Sequence, residues 1–298
     1  MKINAVIVTY NRKDLLILAL SKLCCQTFPL NKIIIVDNNS TDGTKEWLKV
    51  QDNPLYKIIF LEKNLGGAGG FYHGIKNAYE IECDYIWVMD DDTITTETAL
   101  EKLIEGLSVL KEKKVGFVSS NVLYTDDKPC LMNISDTHHE WNEFINKKII
   151  RLTHSSFVSM LIPAAVVKDV GLPIKEYFIW GDDVEYSTRI AMKYEGYFCG
   201  DSTVYHYMKE NKGIDIITSP KDRIARYFYF YRNCMTTNRM RGFSSSLRFL
   251  LSAIFCELRI LLSKNKNKFY KIWIIAKGIF AGLFFRVKID YVGKKEND

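Results

Sequence analysis

Short runs of β-branched and aliphatic residues, each followed by polar residues and then by a helical pattern, recur through residues 1–125. Runs of this length and composition are typical of strands that are buried on both faces of a sheet. The predicted strands cover 3–9, 33–36, 57–61, 85–89 and a fifth run that begins at Lys114. Strands that alternate with helices at this spacing predict an α/β fold, with a mainly parallel central sheet and helices on both faces.

Polar clusters stand where four of the predicted strands end. These clusters are residues 10–12, 37–40, 66–70 and 90–92. In a parallel sheet the carboxyl ends of the strands meet at one edge, and open α/β folds bind their ligands there. We therefore expect the four clusters to line one crevice.

Three consecutive aspartates, Asp90, Asp91 and Asp92, follow the buried run YIWVM. Adjacent carboxylates repel each other, so a metal ion or an arginine has to offset the cost unless the three side chains simply fan out into water. At the ligand edge of a sheet we favour the metal. Carboxylates at alternating positions, Asp90 and Asp92, suit Mg²⁺ or Mn²⁺, which commonly share their coordination with substrate phosphates. Asp91 is then left to structural hydrogen bonds.

Asp37 ends the second predicted strand, where its carboxylate could accept a hydrogen bond from a nucleobase or a ribose. The alternative role is a cap for the turn STDGT, which Asn38, Ser40 or Asp42 could also provide. The glycines of NLGGAGG at 66–70 would let a ligand approach the backbone closely, and the segment is expected to be a loop. The segment does not fit the pattern G-x-G-x-x-G, and the absence of G-x-x-x-x-G-K-[ST] excludes a P-loop nucleotidase.

A second acidic cluster lies in WGDDVEY at 180–186. Its carboxylates suit the positive end of a helix dipole, and this role alone could explain them. Alternatively, one of them is a general base toward a sugar hydroxyl, with Trp180 as an apolar wall. His206, further along the chain, could be a neutral imidazole ligand or a packing residue.

The charge of the chain is unevenly divided. Residues 205–298 contain 19 Lys and Arg against 7 Asp and Glu, whereas residues 1–204 contain 22 against 28. An acidic body with a basic C-terminal third points to a negatively charged partner, either phosphates or an anionic membrane surface. The alternating aromatic and basic residues at 223–243 could also bind RNA. Because the body ahead of them is acidic, we expect no nucleic-acid partner.

The cysteines and the apolar segments indicate where in the cell the protein is located. Seven cysteines without a C-x-x-C pair, and an N-terminus that enters a strand at once, indicate a cytoplasmic protein with reduced thiols. No apolar run reaches the roughly 18 uncharged residues of a membrane-spanning helix. Helical stretches at about 222–263 and 268–286 suit an interfacial position, although a helical hairpin that merely caps the catalytic domain is the alternative. We expect peripheral attachment at the inner face of the membrane.

Together, these motifs resemble those of glycosyltransferase family 2, inverting nucleotide-sugar transferases with the GT-A fold. The resemblance covers residues 3 to about 210 and rests on the ordered set VIVTYNR, IIIVDNNSTDGT, NLGGAGGF, WVMDDD, SFVSMLIP, WGDDVEYSTR and a later histidine. The combination of GGAGGF, MDDD and WGDD looks most like the branch of galactofuranosyltransferases and rhamnosyltransferases of bacterial surface polysaccharides. We divide the chain accordingly into a catalytic domain at 1–210, with a nucleotide-sugar half at 1–125 and an acceptor half at 126–210, and a helical extension at 211–298.

The resemblance implies roles for individual residues. The residues expected to hold the base and ribose of a UDP- or dTDP-sugar are Thr9, Tyr10, Arg12 and Asp37. Those expected along the rest of the nucleotide sugar are Asn64, Gly67, Gly69 and Asp91. The expected ligands of Mn²⁺ or Mg²⁺ are Asp90, Asp92 and His206, and the residues expected to meet the acceptor are Trp180 and Ser159.

Asp183 stands where the family has its general base. A glycine separates Trp180 from Asp182, where the best-known galactofuranosyl enzymes read WDD, so the choice between Asp182 and Asp183 stays open. The resemblance implies one displacement with inversion at C1, from UDP-galactofuranose or, as second choice, dTDP-rhamnose, to a lipid-diphosphate-linked or polysaccharide acceptor. Two alternatives are a sugar-phosphate nucleotidyltransferase, whose basic, glycine-rich signature VIVTYNRKDLL lacks, and a catalytically inactive binding module.

Overall fold

The computed structural model describes residues 1–293 and is built around a nine-stranded sheet. The strands are β1 (Ile3–Thr9), β2 (Lys32–Asp37), β3 (Tyr56–Phe60), β4 (Tyr85–Asp90), β5 (Thr93–Thr95), β6 (Val115–Leu123), β7 (Ile149–Leu152), β8 (Met160–Pro163) and β9 (Glu195–His206). The α-helices are α1 (Lys13–Cys24), α2 (Thr44–Lys49), α3 (Gly66–Glu80), α4 (Ala99–Val109), α5 (Ala164–Val170), α6 (Asp182–Ala191), α7 (Lys221–Ile224), α8 (Tyr227–Met240), α9 (Phe243–Leu262) and α10 (Lys268–Phe284).

The sheet is mixed but mostly parallel, in the order β3-β2-β1-β4-β8-β6-β9-β5, with β7 paired to β9. Strands β1 to β4 are mutually parallel, and β6 is parallel to β9. Strand β8 runs antiparallel to both β4 and β6, so the two parallel groups keep one common direction. The carboxyl ends of β1, β2, β4 and β9 therefore meet at one edge of the sheet, as the sequence predicts.

Helices cover both faces of the sheet, and each face has its own apolar core. Successive residues of β1 point to opposite faces, so that Ile7 enters the core beneath α1 and α4 and Val8 enters the core beneath α3, α5 and α6. Both side chains are almost completely buried. This double burial explains why β1, β2 and β4 consist of continuous apolar residues rather than alternating ones.

The glycine-rich segment is the start of a helix, so the prediction of a loop at 66–70 and a helix from about Phe71 was wrong. Helix α3 begins at Gly66. Glycine has a low helix propensity, which is why the sequence favours a loop. Close packing overrides this preference, because a Cβ on Gly70 would lie 2.3 Å from Cγ1 of Val8.

One further element differs from the sequence prediction. The stretch 222–263, expected to be helical throughout, is divided into α7, α8 and α9. Helices α8 and α9 are separated at Gly242, whose φ of 111° lies outside the helical region and is readily adopted only by glycine.

The C-terminal helices form a third apolar core and are tied to the part of the chain that carries the sheet. Helix α10 lies close against α8, since a Cβ on Gly278 would lie 2.8 Å from the carbonyl oxygen of Phe228. Beyond α10, Asp290 accepts a hydrogen bond from Tyr72 Oη at 2.9 Å and forms an ion pair of 2.8 Å with Lys175. Across residues 1–293, no helix has the length and apolar character needed to cross a membrane.

Candidate active site

The polar strand ends are brought together by the pairing of β1 with its two neighbours. Val8 lies beside Asp90 of β4, and the next residue, Thr9, lies beside Asp37 of β2. The hydroxyl of Thr9 reaches across to the acidic run and donates a hydrogen bond of 2.7 Å to Asp91 Oδ2. The crevice expected at this edge of the sheet is therefore lined by β1, β2 and β4.

Arg12 supplies positive charge to the acidic run. Its Nη1 lies 3.2 Å from Oδ1 of Asp91 and forms a second ion pair with Oδ2 of Asp92. Burial alone would lower the pKa of Arg12, but the carboxylates of Asp92 and Asp91 outweigh burial and raise it. Asp91 also accepts from the backbone N–H of Tyr10 at 3.3 Å. Asp91 is thus held by structural hydrogen bonds, and an arginine contributes to the charge balance of the run.

The three aspartates have different affinities for a proton. Burial, and then the charge of Asp92, raise the pKa of Asp90 to about 7. Burial raises the pKa of Asp91 to about 6, against the opposing charge of Arg12. Burial would also raise the pKa of Asp92, but its contacts with His206 and Arg12 outweigh burial and lower it. A second cation beside Asp90 would therefore compete with a proton near neutral pH.

His206 ends β9, and antiparallel pairing with Thr93 of β5 places it against the acidic run. Its Nε2 lies 3.1 Å from Oδ1 of Asp92, and its Nδ1 lies 2.8 Å from Oδ1 of Asn133. Burial would lower the pKa of His206, but contact with Asp92 outweighs burial and raises it to about 10, so the metal-free ring is protonated and forms an ion pair with Asp92. A metal ion on Nε2 would displace that proton, and the amide oxygen of Asn133, which can only accept, would keep the remaining proton on Nδ1, as in a metal-binding histidine.

The residues of this cluster fit a divalent cation. One ligand atom from each of Asp90, Asp92 and His206 lies within 4.8 Å of the other two. Oδ1 of Asp92 is buried and receives no well-aligned hydrogen bond, although Nε2 of His206 lies 3.1 Å away. Such an acceptor is costly to bury unless a cation meets it, which is the protonated ring of His206 here and would be the metal ion when one is bound. Two carboxylate oxygens and one imidazole nitrogen suit Mn²⁺ or Mg²⁺.

Asp182 and Asp183 begin α6 and differ in their ionisation. Burial, followed by the charges of Asp183 and Asp90, raises the pKa of Asp182 well above its usual value. Burial raises the pKa of Asp183 only to about 6, because backbone N–H groups at the helix start stabilise its charge. Asp182 therefore holds a proton more strongly than Asp183 does, which favours Asp183 as the base. The charge of Asp90 acts on Asp182, so the two acidic clusters are electrostatically coupled.

The turn before α6 has a left-handed backbone. Phe178, Trp180 and Gly181 have φ values of 65°, 64° and 86°, in a region that residues with a side chain rarely adopt. The side-chain amide nitrogen of buried Asn233, in α8, donates to the carbonyl oxygens of Tyr177, Ile179 and Trp180. Because such a backbone persists only where its surroundings hold it, Asn233 is a major support of the turn.

Helix α3 meets the same turn at Gly66. The φ of Gly66 is 72°, and a Cβ at this position would lie 1.9 Å from the carbonyl oxygen of Phe178, so the site requires glycine. The same oxygen accepts from the backbone N–H of Ala68 at 3.2 Å. The start of α3 and the turn before α6 therefore fix each other's position.

Gly67 and Gly69, the two glycines expected to lie along the nucleotide sugar, have different surroundings. Among the described residues, nothing lies within 4 Å of the position that a Cβ on Gly67 would occupy. A Cβ on Gly69 would instead lie 2.4 Å from Cβ of Leu65. Gly67 thus leaves open space beside the crevice, whereas Gly69 is required by packing within α3.

The remaining residues expected on the nucleotide side occupy varied positions. Tyr10 is 43% exposed, and Asn64 accepts from the backbone N–H of Gly66 at 2.8 Å. Asp37 is fully buried and accepts from the backbone N–H of Ser40 at 3.1 Å, which is the turn-capping role. A cavity of about 340 Å³ opens beside these strand ends, and it is lined by Asn11, Arg12, Lys13, Asp14, Leu15 and Asp42.

The two residues expected to meet the acceptor, Ser159 and Trp180, lie in different parts of the structure. Ser159 is 1% exposed, and its hydroxyl accepts from Trp87 Nε1 at 2.9 Å and lies 2.6 Å from the hydroxyl of Ser120. The structure therefore places Ser159 inside the sheet and not at the crevice. Trp180 lies in the turn before α6, partly buried, with its ring centroid 5.1 Å from that of Tyr227 in α8.

Three asparagines hold parts of the site, and the sequence predicts a role for only one of them, Asn38, as a turn cap. Asn133 contacts His206, and Asn233 holds the turn before α6. Asn38 donates from Nδ2 to the carbonyl oxygen of Gly66 and accepts from the backbone N–H of Leu65, both at 2.8 Å. Asn38 lies in the motif DNNSTDG at a strand end, so the sequence points to it as a residue of the site. Asn133 and Asn233 lie far along the chain from the groups they contact, so the sequence does not indicate their roles.

Comparison with known proteins agrees with this geometry. The model of the family described as Glycosyl transferase family 2 matches residues 5–160, just over half of the chain. The chain is 27% identical to galactofuranosyltransferase GlfT1 of Mycolicibacterium smegmatis over 312 aligned residues, which cover 98% of this chain and 96% of that relative.

Solved glycosyltransferases share the fold. TarS of S. aureus superimposes on this chain with a TM-score of 0.56 at 18% sequence identity. The match covers 96% of this chain and 44% of TarS, so this chain spans less than half the length of TarS. A shorter form, TarS 1-349 in complex with UDP, gives a TM-score of 0.54 at 17% identity, over 94% of this chain and 71% of that one. GalNAc-T7, solved with UDP, GalNAc and Mn²⁺, gives a TM-score of 0.58 at 16% identity, over 79% of this chain and 50% of its own. The chain therefore belongs to glycosyltransferase family 2, and it is a glycosyltransferase with the GT-A fold rather than a sugar-phosphate nucleotidyltransferase.

Proposed function

We propose that this glycosyltransferase is metal-dependent and inverting, and that it transfers galactofuranose from UDP-galactofuranose to a hydroxyl group of a glycan acceptor. The observation that carries the proposal is the presence of two acidic clusters with different properties, connected through the contacts of Asn38 with Gly66 and of Gly66 with the turn before α6. One combines Asp90, Asp92 and His206 into a set of metal ligands. The other presents Asp183, with a pKa of about 6, at the start of α6.

The first cluster holds the diphosphate side of the donor. A divalent cation bound by Asp90, Asp92 and His206 would neutralise the charge that develops on the departing nucleoside diphosphate. Thr9, Tyr10, Arg12 and Asp37 are proposed to hold the base and ribose, with Asn64, Gly67 and Asp91 along the rest of the nucleotide sugar. Gly69, which was expected there as well, serves the packing of α3 instead.

Asp183 acts as the general base. It removes the proton of the acceptor hydroxyl while this oxygen attacks C1 on the side opposite the diphosphate, and a single displacement of this kind inverts C1. A carboxylate with a pKa of about 6 is ionised at neutral pH and still accepts a proton readily. Asp182, whose pKa is raised above that of Asp183, is proposed to act as a hydrogen-bond donor when it is protonated, and Trp180 provides an apolar wall for the acceptor.

The choice of donor is supported by the relatives. The relative that matches along the whole chain is a galactofuranosyltransferase, and two of the structural neighbours were solved with UDP. The resemblance to rhamnosyltransferases makes dTDP-rhamnose the second candidate. We further propose a lipid-diphosphate-linked acceptor, used at the cytoplasmic face of the membrane, because the C-terminal third is basic.

Turnover with defined substrates tests the proposal. The protein is incubated with UDP-galactofuranose, UDP-galactopyranose or dTDP-rhamnose and a synthetic glycan, with and without a lipid diphosphate, in Mn²⁺, Mg²⁺ or EDTA. We expect metal-dependent transfer from UDP-galactofuranose, and a product whose anomeric configuration by NMR is opposite to that of the donor. Equal turnover in EDTA, or retention at C1, would refute the mechanism.

A further inference from the structure

Helix α9 turns its apolar side away from the protein. Its buried side chains are Ala253 and Ile260. The large apolar side chains that it exposes are Phe243, Leu247, Leu251, Ile254, Phe255, Leu258, Leu261 and Leu262. From Leu247 onward they recur every three or four residues, which is the spacing of one continuous helical face. An amphipathic helix of a globular domain would bury this face, so α9 is oriented for contact with something else.

Helix α10 has the same property on one side. Its other side packs on α8 through Gly278 and Gly282. The large apolar side chains that it exposes are Phe269, Tyr270, Trp273, Phe280, Leu283 and Phe284. We call these residues, together with the exposed residues of α9, the outward apolar face. Surfaces of this kind mark contact sites for proteins or membranes.

The charge around the outward apolar face is strongly positive. Residues 243–288 contain nine Lys and Arg and one acidic residue, Glu257. Lys264 and Lys266 stand exposed in the connection between α9 and α10. Lys277 lies within α10, with its ammonium 4.7 Å from the ring centroid of Trp273. Aromatic and aliphatic side chains surrounded by lysine are typical of helices that lie in the headgroup region of a membrane.

We propose that the outward apolar face of α9 and α10 docks on an anionic lipid surface and holds the enzyme in the plane of the membrane without crossing it. The apolar side chains enter the boundary between headgroups and acyl chains, and the basic residues contact lipid phosphates. A second copy of this chain is a less suitable occupant. A symmetric dimer would place this positive surface against its own equivalent, and like charges would repel. The proposal goes beyond the sugar-transfer reaction and does not depend on the donor.

Vesicle flotation of the full chain tests the proposal. We expect co-flotation with vesicles of mixed phosphatidylcholine and phosphatidylglycerol, weaker binding to phosphatidylcholine alone, and release by salt. The double variant Leu251→Glu and Phe255→Glu should lower the bound fraction about tenfold, because two charges would enter the apolar boundary. The matched control is Val50→Glu with Met192→Glu, which adds the same charge at exposed apolar positions of the catalytic domain and should float like the wild type.

Two further measurements separate docking from other causes. Transfer to a glycan without lipid should be unchanged in the Leu251→Glu and Phe255→Glu variant, which shows that the fold and the active site are intact. Light scattering should report a monomer for both proteins. The proposal is overturned if the wild type does not float with anionic vesicles, or if it forms a stable dimer that this variant dissolves.

Discussion

The side-chain amide of Asn233 donates a hydrogen bond of 2.8 Å to the carbonyl oxygen of Trp180, two residues before the first aspartate of α6. The same nitrogen donates to Tyr177 and Ile179, and Asn233 is completely buried. A residue of the C-terminal helices thus fixes the turn from which the proposed base emerges. The C-terminal helices are therefore part of the architecture of the active site.

We predict that Asn233→Ala lowers kcat about 10- to 100-fold, because Asp183 loses its position relative to the acceptor. The KM for the donor and the affinity for Mn²⁺ should change much less, since the metal ligands stand on other elements. Steady-state kinetics and metal titration measure this difference. The matched control is Thr236→Val on the same helix, which removes a buried hydroxyl that donates to Arg232 and contacts Gly282. This control should lose stability but keep kcat. Equal loss of kcat in both variants would mean that Asn233 acts through stability alone.

The two aspartates of α6 should respond differently to amide substitution. Asp183→Asn removes the proposed base and should lower kcat by about 10²- to 10⁴-fold, with donor binding retained. Asp182→Asn should have a much smaller effect, because the raised pKa of Asp182 favours its protonated form, which an amide resembles. Single-turnover rates with both variants decide the assignment. A larger loss in Asp182→Asn would reverse it.

The pH dependence of kcat/KM should report the ionisation of Asp183. The base is active when deprotonated, and its pKa is raised by burial to about 6. At saturating Mn²⁺, kcat/KM should therefore fall about tenfold per pH unit below pH 6 and level off above it. Asp183→Asn should remove this limb of the profile from its residual activity. A profile that keeps the same limb in Asp183→Asn would assign the titration to another group.

Asn133 should tune the metal site without contributing a ligand. It contacts Nδ1 of His206 and fixes the orientation of the ring. Asn133→Ala should weaken Mn²⁺ binding by about 10- to 100-fold and leave activity at saturating Mn²⁺ close to that of the wild type. Titration of activity with Mn²⁺ separates the two effects. Unchanged affinity would contradict the placement of His206 among the ligands.

Two adjacent glycines should tolerate alanine very differently. Gly66→Ala should destabilise the protein strongly, because its Cβ would overlap the carbonyl oxygen of Phe178 and its φ is 72°. Gly67→Ala places a Cβ in open space within a helix and should change the free energy of unfolding by about 1 kcal/mol or less. Any loss of donor affinity in Gly67→Ala then reports contact with the donor. Denaturant unfolding and UDP titration provide the two readouts.

The sequence predicts the part of the site that is formed by the carboxyl ends of parallel strands. Apolar runs with polar ends define β1, β2 and β4, and their pairing brings Asp37 and Asp90 to one edge as expected. Sequence patterns could not predict contacts between distant elements. The hydrogen bond from Asn233 to Trp180 joins positions 53 residues apart. The helical start of α3 at Gly66 depends on close packing, which overrides the local preference of glycine for loops.

The most direct test of the central claim is calorimetric titration of UDP into the wild type and into Asp92→Ala, each with and without Mn²⁺. We predict that UDP binds the wild type only when Mn²⁺ is present, and that Asp92→Ala shows little binding in either condition. Binding of UDP that is equally tight without Mn²⁺, or that survives in Asp92→Ala, would contradict the assignment of Asp90, Asp92 and His206 as the metal site. Absence of binding by the wild type in both conditions would instead favour a different nucleotide or an inactive site.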